Sequence, residues 1–151
     1  MLTLAFYKGR GATRFDRFVD WAIRFSTRGI YSHVELIAGP AELGKKAVCL
    51  SSSGRDGEVR EKHITLRPKS WDLVTLNIDP KGPECFIRAR LGKKYDFKGI
   101  VLSHFFAFGG HDSDRWFCSE ICAAALNIPS PHTVSPARLY ELITWKDAGL
   151  N

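Results

Sequence analysis

Five β-rich runs lie between Leu2 and Ile78, and helical patterns take over beyond Pro83. Strands gathered early and helices gathered late predict an α+β fold, an antiparallel sheet packed against helices. The runs are Leu2–Tyr7, Ile30–Ala38, Ala47–Ser52, Val59–Leu66 and Trp71–Ile78, rich in β-branched and aromatic residues and bounded by Gly and Pro. One helix interrupts them. Phe15, Phe18, Val19, Ala22 and Ile23 or Phe25 recur at three- and four-residue steps, the mark of an amphipathic helix that ends near Gly29. Thr13 and Asp16 at its start form a weaker relative of the capping box. In the second half, helices are predicted over Glu84–Leu91, Phe97–Phe108 and Phe117–Leu126, and another starts near Ser135-Pro136.

The chain of 151 residues suits one domain spanning 1–151, and it shows no repeat, linker or low-complexity tract. A hydrophobic share of 44% and a charged share of 25% are those of an ordinary globular protein. No apolar run reaches the roughly 18 to 20 residues of a membrane span. Met1–Arg10 lacks the pattern of a secretory signal, so a cytoplasmic protein is expected, or a virion-associated one if phage-encoded. The net charge of +6 favours polyanions, but the residues spell no nucleic-acid motif, and no nucleic-acid partner is expected.

Four cysteines, Cys49, Cys85, Cys118 and Cys122, carry the chemical question. The i, i+4 spacing of Cys118 and Cys122 is poor for a metal knuckle, and without a signal sequence a disulfide framework is not expected. No metal and no organic cofactor is called for. Cys118 follows Asp112-Ser113-Asp114-Arg115-Trp116-Phe117 and opens a strong helix former, so it falls at a helix N-terminus. Orphan backbone N–H groups and the helix dipole favour a thiolate there and can stabilise an oxyanion. The competing account is a small buried side chain, as for Cys122.

His33 stands within Gly29-Ile30-Tyr31-Ser32-His33-Val34-Glu35-Leu36-Ile37, in the middle of a β-rich run where imidazole is unusual. Alternation puts Tyr31, His33 and Glu35 on one face, so a base on a rigid strand stands beside a carboxylate. His63, His104, His111 and His132 carry no such neighbourhood.

Tyr31-Ser32-His33-Val34-Glu35 early and Trp116-Phe117-Cys118-Ser119-Glu120 late resemble the circularly permuted branch of the papain-like NlpC/P60 superfamily, which includes the YaeF/YiiX-like proteins and the lecithin retinol acyltransferase relatives. Gly92-Lys93-Lys94-Tyr95-Asp96 and Ser135-Pro136-Ala137-Arg138-Leu139 also resemble that branch, and Ser51–Arg60 looks most like its phage- or prophage-borne members. The resemblance implies a papain-like fold in permuted order and a cysteine peptidase or amidase, with Cys118 as nucleophile and His33 as base. Its substrate is a peptide, amide or acyl ester, a cell-wall peptide among the candidates.

The third member of the site is open between two residues. If Ile30–Ala38 and Ala47–Ser52 pair as a hairpin, Ser51 lies roughly opposite His33. Glu35, slightly favoured, sits two residues along the same strand, about 6 to 7 Å away, which suggests electrostatic tuning without a bond. Glu120 is expected to anchor the helix start. Serines where several relatives carry Glu support a different reading, a binding module that keeps the groove without catalysis; a lipid acyl hydrolase or transferase is a further alternative.

Overall fold

The computed structural model describes residues 1–96 and 115–147. The helix expected over Phe97–Phe108 lies outside the described residues, with His104, His111 and Asp112 to Asp114.

The architecture is α+β, a curled seven-stranded sheet with four helices among the described residues. The strands are β1 (Leu2–Tyr7), β2 (His33–Ala38), β3 (Lys46–Ser53), β4 (Glu58–Thr65), β5 (Trp71–Leu76), β6 (Lys94–Tyr95) and β7 (Arg115–Trp116). The helices are α1 (Arg14–Thr27), α2 (Lys81–Arg88), α3 (Cys118–Ala125) and α4 (Pro136–Asp147). Sheet order is β5-β1-β2-β3-β4-β6-β7. All neighbours are antiparallel except β6 and β7, which run parallel. These two-residue strands departed from the sequence expectation because so short a run has no period to read. They matter for position: β7 delivers the chain directly to Cys118.

Alternation along the central strands explains the two cores. Leu2, Leu4 and Phe6 of β1, with Val34 and Leu36 of β2, join Ile87, Ile121, Cys122, Leu139 and Ile143 from the helices in the larger one. Ala5, Ile37, Cys49, Leu66 and Trp71 build a second core from the opposite parity. Tyr31 does not continue the face of His33 and Glu35, because β2 begins only at His33. It enters the larger core, where its ring lies 5.4 Å from Phe6 and 4.7 Å from Tyr140 and its hydroxyl donates to Asp72 at 2.8 Å.

At the end of α1, Gly29 passes so close to α4 that an added Cβ would sit 2.2 Å from the Ala137 Cβ. Any larger residue there pushes two helices apart. Thr13 and Asp16 form a full capping box at the start of α1. The helix docks through polar groups: Gly11 N–H donates to the buried Asp20 carboxylate at 2.8 Å, and Arg24 donates to Ser32 Oγ at 3.1 Å. Its apolar stripe departs from the expected burial, since Phe18 and Phe25 face water.

Candidate functional site: a cysteine, a histidine and a buried carboxylate

Cys118 is the first residue of α3, after Phe117 in extended conformation. The first intrahelical bond runs from Ile121 N–H to Phe117 O, so the N–H groups of Cys118, Ser119 and Glu120 have no acceptor within the helix. Glu120 reaches back to accept from Phe117 N–H at 3.3 Å, as expected of a helix anchor. The incoming strand is fixed in turn by Ser52, whose hydroxyl donates to Trp116 O at 2.6 Å. Seven of the eight residues of α3 are buried, and the helix packs on β2 and β3, which brings its N-terminus to the start of the histidine strand.

His33 is the first residue of β2, paired across from Tyr7. Its side chain keeps 22% exposure and meets Cys118 within hydrogen-bonding and electrostatic reach. His33 Nε2 lies 2.7 Å from Glu35 Oε1. The 6 to 7 Å backbone repeat therefore does not keep them apart, because the two side chains lean together across it. Glu35 is fully buried and is also bound by Arg60 in bidentate fashion, at 2.7 and 2.5 Å. Burial alone pushes this carboxyl up, but the charges and hydrogen bonds of His33 and Arg60 outweigh it and hold the group at about 2. An ionised carboxylate only accepts, so Nε2 carries a proton and Nδ1 is left for the thiol.

Arg60 is one step in a longer chain of charge. Its Nε donates to Asp56 at 2.9 Å, and Lys62 donates to the other oxygen of Asp56 at 2.9 Å. Sequence reasoning did not single out Arg60. The available signal was Glu35 itself: a carboxylate inside an apolar strand demands a cation, but 22 Lys and Arg compete for that role in the sequence. Ser51 is placed elsewhere. The β2–β3 register pairs Leu36 with Leu50, which by continuation sets Ser51 across from Glu35, not His33. Its hydroxyl donates to Val34 O at 2.8 Å and ties the two strands together.

The other cysteines differ in kind. Burial pushes the Cys49 thiol up to about 12 and raises Cys122 well above its ordinary range, while Cys85 is exposed on α2. Among the described residues no three His, Cys, Asp or Glu side chains gather as a metal site. No helix among them is long and apolar enough to cross a membrane. No protein-family model matches the chain, and no curated protein matches it.

For His33, burial pulls the imidazolium down, but the negative charge brought by Cys118 and Glu35 exceeds that effect and holds it at about 10. A group raised from 6.5 to about 10 stabilises the fold fully below the unfolded value and loses that contribution as pH rises through 10. The stability difference between wild type and His33→Gln is therefore expected to shrink between about pH 6.5 and 10. Imidazole NMR should show His33 still protonated at pH 8. A ring that titrates near 6.5 defeats this account.

Proposed function

We propose that the protein is a cysteine hydrolase that cleaves an amide or ester bond through a thioester on Cys118. The observation that carries the reading is the contact chain from the Cys118 thiol to His33 and from His33 Nε2 to the buried Glu35 carboxylate. Its order, histidine strand before cysteine helix, supports the resemblance to permuted papain-like enzymes.

In the proposed sequence, His33 holds the thiol proton on Nδ1 and Sγ attacks the substrate carbonyl carbon. The carbonyl oxygen becomes an oxyanion, stabilised by the Cys118 N–H, which has no acceptor within α3. The tetrahedral intermediate collapses as His33 returns the proton to the leaving nitrogen or oxygen. Water, deprotonated by His33, then attacks the thioester, and the acid leaves with Sγ restored. Glu35 holds the ring in one tautomer and balances its charge. Arg60 positions Glu35. A peptide of the cell wall, another amide and an acyl ester all fit this chemistry.

The second reading is a binding module, and one observation favours it: Cys118 is only 1% exposed. Hydrolysis requires the thiol to open to substrate beside His33; a binder has no such need. Iodoacetamide alkylation, mapped by mass spectrometry on each cysteine against pH, separates the two. The enzyme reading expects Cys118 to react faster than buried Cys49 and Cys122 and to slow in His33→Ala. Alkylation of Cys118 no faster than of buried Cys49, or indifferent to His33, overturns the catalytic reading.

A further inference from the structure

Helix α1 turns an aromatic ridge to solvent that the fold does not use. Phe18, Trp21 and Phe25 are 62%, 57% and 68% exposed. They follow one another at three- and four-residue steps and so share a face with Arg14, four residues before; Arg28 is the left-handed cap just past the helix end. The rings pack on each other, Trp21 against Phe25 at 5.3 Å and 17°, and Phe18 against Trp21 at 6.0 Å. Arg14 and Arg28 are exposed, and a hollow against the ridge is lined by Arg10, Arg17 and Arg24 together with Asp20, Trp21 and Phe25.

The acids of the helix are occupied elsewhere. Asp16 caps the N-terminus and meets Arg55 at 3.2 Å; Asp20 is buried against Gly11 N–H. What remains outward is hydrocarbon edged by guanidinium groups. A contiguous apolar patch of this kind marks an interaction surface.

We propose that α1 docks the protein on anionic lipid bilayers, with Phe18, Trp21 and Phe25 in the interface and the surrounding arginines on lipid phosphates. An aromatic stripe with a cationic border is the composition of a helix that lies in the membrane plane. Guanidinium groups bind phosphate in bidentate fashion, and the surface potential of anionic lipid adds attraction. A single-stranded nucleic acid fits less well, since it needs ring faces free for stacking. Here the rings lie against each other. A second copy of the chain would set arginines against arginines.

The surface stands independently of the catalytic reading, yet it lies near that site. On the same helix Ile23 packs with Tyr95 and Phe117, the residue just before Cys118. Docking through α1 therefore brings the cysteine close to whatever the membrane presents.

The test is co-sedimentation of the full chain with phosphatidylcholine vesicles, with and without about 30% phosphatidylglycerol. The expected results are at least about tenfold tighter partitioning on the anionic vesicles, and a loss of about tenfold or more in Trp21→Ser/Phe25→Ser. The double variant should keep its fold by circular dichroism, since both side chains are exposed. Three results overturn the proposal: no binding to anionic vesicles at low salt, binding that falls in Arg14→Glu/Arg28→Glu but not in the aromatic variant, or a dimer in sedimentation that the aromatic variant dissolves. Tighter binding to a single-stranded oligonucleotide than to vesicles, lost in the same variant, also overturns it.

Discussion

Arg60→Met is expected to cost about 3 to 5 kcal/mol of stability, read from urea unfolding near neutral pH. The reason is the carboxylate it leaves behind. Glu35 is fully buried, and Arg60 supplies two of its three hydrogen bonds, with only 11% of the Arg60 side chain exposed. Removing the cation leaves a desolvated charge with one partner, and the penalty falls on that charge more than on the lost bonds. The double variant Glu35→Gln/Arg60→Met should therefore recover a large part of the loss, because no ion remains to desolvate.

The pH dependence gives a second signature. In the wild type, Glu35 at about 2 contributes stability above its unfolded value near 4.5, lost as pH falls through 2. Without Arg60, His33 alone opposes burial and the carboxyl rises, so this acid-side loss should weaken. A cost below about 1 kcal/mol in Arg60→Met means that water reaches Glu35, and the buried-pair argument fails.

How far the sequence alone reaches depends on whether a feature is local or assembled. The strand runs and the helix starting at Cys118 are local patterns, and the structure places them within a few residues of expectation; β2 begins at His33 instead of Ile30, and α2 runs from Lys81 to Arg88 instead of from Glu84 to Leu91. The closeness of His33 and Glu35 follows from strand parity, but their bond does not, because the backbone repeat says nothing of how side chains lean. Arg60 is invisible for a stronger reason: its contact crosses 25 residues and depends on the β3–β4 hairpin. The stripe of α1 shows the opposite failure. Its period is correct, but period alone cannot say whether an apolar face meets a core or is left for a partner. Asp20 and Ile23 take the inner side instead, and the three aromatics stay outside.

Cys118→Ala should abolish turnover while changing stability by no more than about 1 kcal/mol, and that combination separates a working nucleophile from a core thiol. Cys118 is as buried as the core thiol Cys122, so burial leans toward the core account and the variant has to decide. A thiol that only packs contributes through its contacts, and its removal shows in unfolding with no consequence for chemistry. A nucleophile contributes a bond to the reacting carbon. With p-nitrophenyl acetate as probe, the wild type should acquire one acetyl group, mapped to Cys118, and release it on standing. Cys118→Ala should show neither step, a fall of about 10⁴-fold or more in rate. His33→Ala should slow acylation and deacylation alike, because the same ring nitrogen holds the thiol proton and gives it to the leaving group, and later takes the proton of water. The double variant should be no worse than Cys118→Ala alone, since residues acting as one unit lose their effect together. If instead Cys118→Ala unfolds several kcal/mol more easily and acetylation persists at another residue, Cys118 belongs to the core with Cys122, and the binding-module reading replaces the catalytic one.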